Sequence, residues 1–201
     1  MSTGRAKMRI SRSRNKLHQI AYTAELTEYD AEPPARTWLL DGLPEKINPE
    51  LEAVALYLIF GSWCGGEFVV PQKMGPNTAA AISAHAGMDF FPGPIEYYPK
   101  PIFRGSNTVT VTDRLEQAGA RTLVVLSGST WNGSLKSTSG LIVSTNADVF
   151  EKIDEFPTAK VATSVLLAEE LDVAEIVLDC GSSAMTQGIS PLLRQVGIAL
   201  G

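Results

Sequence analysis

The residues best suited to chemistry stand where apolar runs stop. Glu175–Asp179 (EIVLD) reads as a buried strand that runs into Cys180-Gly181-Ser182-Ser183. In open α/β sheets ligands gather outside the carboxyl ends of strands. Asp179 is therefore placed to take a ribose hydroxyl or to act as a base, with Ser182 and Ser183 as donors to an anion. The plainer alternative is that Asp179 caps the following turn. Cys180 as a nucleophile would need a base, and His85 is the one candidate.

A second apolar run, Thr122–Leu126 (TLVVL), ends in the Ser/Gly/Thr-rich stretch 127–138. Ser127, Gly128 and Ser129 open it, and Gly128 and Gly133 have the G-x-x-x-x-G spacing whose backbone N–H groups cradle phosphate. Ser134 stands where that motif needs a lysine, and Lys136 comes two residues late. Leu135–Ser144 reads as turn and strand, whereas the motif requires a helix whose dipole faces the anion. An SGGxDS loop of the pyrophosphatase type fails too, lacking its second glycine and its aspartate. A polar hairpin or ligand lid is the competing reading.

The stretch Trp63–Asn77 offers a third edge. Gly65 and Gly66 permit close backbone approach, and Glu67, Lys73 and Asn77 add polar groups; Asn77 also reads as a simple helix cap. A general base falls by default to Asp179, Glu67 or Asp113, because there are two histidines and no telling pair of carboxylates. The expected catalytic residues are Asp179 and Glu67.

The fourth feature is charge. Arg5, Lys7, Arg9, Arg12, Arg14 and Lys16 precede the first acid, Glu25, and the remaining chain carries eleven bases against twenty-two acids. The net −5 thus resolves into a +6 arm and a −11 body. Such an arm attracts phosphate backbones, but an acidic body or a neighbouring subunit attracts it equally. No aromatic residue stands between Arg5 and Lys16 to stack on bases. Contact with a partner through Arg9, Arg12, Arg14 and Lys16 is expected ahead of nucleic acid.

These residues need elements to hold them. Residues 5–24 read as an extended segment in which Lys7 and Arg9, and then Arg12, Arg14 and Lys16, recur every second position, as on one side of a strand. The strip Glu25–Arg36, with Pro33-Pro34, reads as a linker, and Thr37–Asp41 as a short strand. Asn48 then caps a helix opened by Pro49, with Glu50 and Glu52 at its positive end. That helix is apolar all round, so it is a central core helix or is covered by a partner. Glu67–Pro71 is a strand, Thr78–Ala86 a helix of small residues ended by Gly87, and 89–106 irregular or extended. Thr108–Thr112 and Leu141–Ser144 are strands, Ala159–Leu171 is a helix, and Ser190-Pro191 opens a last helix to Gly201. No internal repeat is visible.

The whole predicts an α/β or α+β chain: a three-layer-like domain over 37–201 with a mixed sheet and about four helices, preceded by a basic arm and acidic linker over 1–36. Its 201 residues, 44% hydrophobic and 19% charged, exclude the disordered class. The longest apolar run, Ala53–Phe60, is too short to span a bilayer. Cys64 and Cys180, 116 residues apart, read as reduced thiols, and two histidines leave a zinc site short of ligands. The first 24 residues share the Arg- and Ser-rich, acid-free composition of a transit peptide. Their alternation suits a strand better, and a cytoplasmic protein is expected. The functional expectation is a phosphorylated or nucleotide-like ligand held at the carboxyl ends of the buried strands, with no cofactor identified. The alternative is a subunit of a homo- or hetero-oligomer that uses the arm and helix 49–60.

Overall fold

The computed structural model describes residues 7–15, 19–42, 46–87, 89–98, 101–151, 157–179 and 186–201. Lys16, Cys180, Ser182 and Ser183, four of the residues singled out above, lie outside it. Eleven strands join in one mixed sheet with five helices, as the α/β reading expects.

The first half runs β1 (Lys7–Arg14), β2 (Ile20–Glu25), β3 (Thr37–Leu40), α1 (Pro49–Phe60), β4 (Glu67–Met74), α2 (Pro76–Ala86) and β5 (Phe91–Ile95). The second runs β6 (Asn107–Thr112), β7 (Thr122–Ser127), β8 (Ser134–Lys136), β9 (Leu141–Thr145), α3 (Thr158–Leu166), α4 (Ala168–Leu171), β10 (Val173–Leu178), α5 (Thr186–Gln195) and β11 (Ala199–Leu200). The sheet order is β11-β10-β6-β7-β9-β3-β2-β1-β4-β5, with β8 hairpinned onto β9.

A repetition invisible in the sequence emerges from this order. Leaving aside β8 and α4, each half is three strands, a helix, a strand, a helix and a strand. Counted within its own half, each set of five strands lies in the order 3-2-1-4-5. The third strands meet antiparallel through Leu40 and Thr145. In the first half β2 runs against both neighbours, whereas β6, β7, β9, β10 and β11 are all parallel. The parallel half therefore has the strand order of doubly wound sheets. Its first two crossovers carry a 3-10 turn (Leu115–Gln117) and the β8 hairpin in place of helices.

The basic segment belongs to this sheet. β1 pairs with β2 on one side and β4 on the other, so Lys7–Arg14 is an interior strand rather than a detached arm. Its charges also divide between the two faces. Met8 and Ile10 are buried while Lys7 and Arg9 are exposed, so the odd positions face outward. The three-residue step from Arg9 to Arg12 turns Arg12 inward with Met8 and Ile10. There its guanidinium Nη1 lies 2.8 Å from Oε1 of Glu52, which has no exposed surface. The Tyr22 hydroxyl donates to the same oxygen at 2.8 Å, and Gln72 Nε2 donates to Oε2 at 2.9 Å. Burial, with the Glu52 carboxylate beside it, holds the Tyr22 phenol far above its ordinary pKa.

Helix α1 carries this network into the core. Asn48 Oδ1 accepts from the Glu50 N–H at 3.0 Å, the expected cap. Its apolar girth is covered within the chain by β4, α2 and α3, which answers the choice between core helix and partner-covered helix. Ala53, Ala55, Ala159 and Ala162 are all fully buried or nearly so, and small residues let α1 and α3 approach closely. Thr163 and Ser164 satisfy their hydroxyls on the carbonyls of Ala159 and Lys160 one turn back. Helix α2 packs on α5 although the strands before them stand near opposite ends of the sheet, so the sheet wraps around the helices.

Two boundaries differ from expectation. Asn77 lies inside the first turn of α2, whose N-cap is Gly75 with Pro76 following. Pro191 does not open α5 but sits inside it, and the chain leaves that helix for β11. Among the described residues no helix is long and apolar enough to cross a membrane.

Candidate functional site

The parallel half-sheet brings its strand ends to one edge, and the chain places a polar residue at or just past the ends of β6, β7, β9 and β10. Asp113 follows β6, Ser127 ends β7, Asp148 lies just past β9, and Asp179 follows β10. The sequence of strands reverses between β6 and β10, since β6 continues to β7 on one side while β10 lies on the other. That reversal is where doubly wound sheets open a crevice.

At the reversal the Asp179 N–H donates to the Val111 carbonyl at 3.2 Å. Its Oδ2 accepts from the Thr112 hydroxyl at 3.3 Å and lies 3.8 Å from Arg114 Nε. Two strands on, a cavity of about 150 Å³ opens among Asp113, Ser127, Asp148, Glu151 and Lys160. Lys160, in the first turn of α3, ties the cavity together. Its Nζ lies 2.7 Å from Asp113 Oδ2, and its backbone N–H donates to Glu151 Oε1 at 3.2 Å. The Ser127 hydroxyl lies 2.8 Å from Asp148 Oδ2 and 2.8 Å from Ser129 Oγ.

These surroundings push two neighbouring carboxyls in opposite directions. The hydrogen bond from Lys160 lowers the Asp113 pKa. Burial raises that of Glu151, with the Asp113 and Asp148 charges adding to the rise and Lys160 opposing it. Two neighbouring carboxyls whose pKa values are displaced in opposite directions are the arrangement from which acid–base pairs are built.

The expected phosphate cradle is not formed by the Ser127–Gly133 loop, because its N–H groups are already engaged. Gly128 donates to the Thr145 carbonyl at 2.7 Å, Thr130 and Trp131 to the Ser127 carbonyl at 3.0 Å, and Gly133 to Asp41 Oδ2 at 2.6 Å. Ser129 N–H donates to Ser127 Oγ at 3.3 Å.

The other candidates stand elsewhere. Glu67 opens β4, which six strands separate from β10 in sheet order, with Oε2 3.8 Å from Lys7 Nζ. Gly65 packs against the chain's own strip 26–36: its N–H donates to Asp30 Oδ1 at 2.8 Å, and a Cβ there would stand 2.3 Å from the Tyr29 carbonyl oxygen. The Gly66 carbonyl accepts from Phe91 N–H at 3.0 Å, part of the β4–β5 pairing. Lys73 is exposed, 3.8 Å from Glu96. Asn77 borders a different cavity, beside the ends of β4 and β5. His85 Nδ1 pairs with the Tyr57 hydroxyl at 2.8 Å, and burial lowers its pKa. Cys64 is buried, donates to the Glu67 carbonyl at 3.4 Å, and has its thiol pushed up to about 11 by burial, the state of an unreactive thiol. Among the described residues no cluster of three or more His, Cys, Asp or Glu is placed to hold a metal.

Compared with protein-family models, curated proteins and solved structures, the chain matches none. Its function has to be argued from this geometry. Sequence reasoning found Asp113, Ser127 and Asp179 but missed Asp148, Glu151 and Lys160. Asp148 had the same signal as the other two aspartates, a carboxylate just past an apolar strand. Glu151 and Lys160 join only because α3 packs over the strand ends.

Proposed function

We propose that this chain binds a small nucleotide-like or sugar-like ligand at the carboxyl edge of its parallel half-sheet. The ligand's hydroxyls, rather than a phosphate, enter the cavity. Carboxylates accept hydrogen bonds from hydroxyls and repel phosphates, and acids at the strand ends of doubly wound sheets take ribose hydroxyls in this way. The observation that carries the reading is the convergence of Asp113, Ser127, Asp148, Glu151 and Lys160 on one cavity. At about 150 Å³ it falls below the roughly 300 Å³ where sites for whole drug-sized ligands begin. A sugar-sized group enters, and the rest of the ligand lies outward toward Arg114 and Asp179. The opposite pKa displacements of Glu151 and Asp113 equip the same edge for proton transfer to and from a bound hydroxyl.

The test is a thermal-shift and NMR titration with nucleosides, free pentoses and hexoses, and inorganic phosphate. Nucleosides or sugars should raise the melting temperature and phosphate alone should not. Asp148→Asn and Ser127→Ala should weaken that response. Silence across the panel at millimolar ligand, or a response to phosphate alone, removes the reading.

A further inference from the structure

A second and larger cavity lies on the opposite edge of the sheet. Because the third strands of the halves meet antiparallel, the carboxyl ends of β4 and β5 point away from those of β6, β7 and β9. At those ends a cavity of about 320 Å³ opens, large enough for a small organic molecule. Both halves build it. The first supplies Glu50 at the start of α1, the turn into α2 with Asn77, and the pair Tyr97-Tyr98; the second supplies Gln195 at the end of α5.

Its chemistry is opposite to that of an anion site. Among the described lining residues Glu50 is the one carboxylate, and none is a lysine, arginine or histidine. Both Glu50 oxygens face the Gly75 N–H, at 2.8 and 3.0 Å. Among the described residues a single N–H answers a group with about four acceptor positions. The carboxylate thereby occupies the amino end of α2, the place where an anion would otherwise sit. Around it stand apolar and aromatic walls. Tyr97 and Tyr98 are 78% and 79% exposed, and Ile102 beside them is 53% exposed. Three large side chains this open, on the rim of a cavity with a carboxylate inside, match an apolar body that bears a positive charge. Aromatic faces attract such cations through the ring quadrupole.

We propose that this cavity binds a small organic cation: an ammonium or N-methylated ammonium carried on an apolar or aromatic body. The charge sits against Glu50, the body lies along Tyr97, Tyr98 and Ile102, and the Asn77 and Gln195 amides serve polar groups on the ligand. The site is separate from the carboxyl-edge cavity of the parallel half and stands or falls independently of it.

The probes are phenethylammonium and tetramethylammonium, set against their neutral isosteres 2-phenylethanol and tert-butanol, titrated into the full chain by calorimetry and by tyrosine-ring NMR. The cations should bind and the neutral isosteres should bind at least about tenfold more weakly. Glu50→Gln keeps an acceptor for Gly75 N–H while removing the charge, and should weaken the cation about tenfold. Tyr97→Ala with Tyr98→Ala, both exposed and so little involved in folding, should weaken it by a similar factor. Equal binding of cation and neutral isostere, equal binding by Glu50→Gln, or no binding of any cation at about 10 mM overturns the proposal. Binding that resists Glu50→Gln would place the cation at the other acidic cavity, and it too counts against this site.

Discussion

Arg12 sets its guanidinium 2.8 Å from a carboxylate, Glu52, that has no exposed surface. The pair links an interior strand to the central helix, and Tyr22 and Gln72 complete the hydrogen bonding. A buried ion pair contributes little over a well-packed apolar pair, but removing one partner leaves a charge without compensation. Arg12→Met should therefore lower the unfolding free energy by about 3 kcal/mol. Adding Glu52→Leu should recover most of that loss. Urea denaturation of both variants checks it. A single variant as stable as the parent would mean that Glu52 is solvated or protonated without Arg12.

The acidic edge makes a prediction about pH whose sign differs between two neighbours. Glu151 binds its proton more tightly in the folded chain than in the unfolded one. The stability from that difference is fully present below the ordinary glutamate pKa and is lost as pH rises through the raised value. Asp113 is the reverse, since Lys160 lowers its pKa. Its contribution is present above the ordinary aspartate pKa and is lost as pH falls through the lowered value. Glu151→Gln should gain on the parent in melting temperature as pH rises from about 4 to about 8, whereas Asp113→Asn should gain on the parent as pH falls from about 4 to about 2. Parallel curves for parent and variants would show that the cavity does not couple these groups.

How much of this was legible depended on whether the deciding partners were local. Helix α1 was readable because Asn48, Pro49 and the apolar run sit side by side, strands β7, β9 and β10 because each is a compact apolar run, and β6 because its Thr and Val residues alternate. Asp113, Ser127 and Asp179 were findable because they follow those runs directly. The phase of β1 was misread, since the charges were taken to share one side. The signal was nonetheless present, in the three-residue step between Arg9 and Arg12 that sends them to opposite faces. Arg12 leaves the +6 side of the charge partition as an internal counterion of Glu52, while Lys7, Arg9 and Arg14 stay exposed. Pro191 misled because proline favours the first turn of a helix, while α5 begins upstream of it. The repeated 3-2-1-4-5 order left no trace in the residues, since strand order is fixed by contacts far apart in the chain.

Within the sheet the two halves meet at one bridged residue pair, Leu40 and Thr145, and side chains reinforce that seam. Asn146 makes two of those bonds. Its Oδ1 accepts from Leu39 N–H at 2.7 Å and its Nδ2 donates to the Thr37 carbonyl at 2.8 Å. Trp38, fully buried, adds its indole N–H to Thr145 Oγ1 at 3.0 Å. Asn146→Ala strands one backbone donor and one acceptor in a half-buried place, which costs about 2 kcal/mol. Amide exchange should quicken at Leu39 ahead of the core of α1. Uniform exchange behaviour in the variant would show that the halves do not part at this seam.

Gly65 separates a packing role from a ligand role. It was a candidate because glycine admits close backbone approach, and close approach is what it provides, although to the chain itself. A Cβ at this position would stand 2.3 Å from the Tyr29 carbonyl oxygen, where backbone and not a flexible side chain must yield. The same residue's N–H is held by Asp30 Oδ1, and Asp30 Oδ2 in turn caps Thr27, so a shift at 65 disturbs the whole strip 27–31. Gly65→Ala should cost about 1–3 kcal/mol in stability, as overpacking does. Ligand response at the carboxyl edge of the parallel half, measured well below the melting temperature, should be unchanged. A variant of parental stability that has lost its ligand response would restore Gly65 to a binding site and break the assignment of that site to Asp113, Ser127 and Asp148.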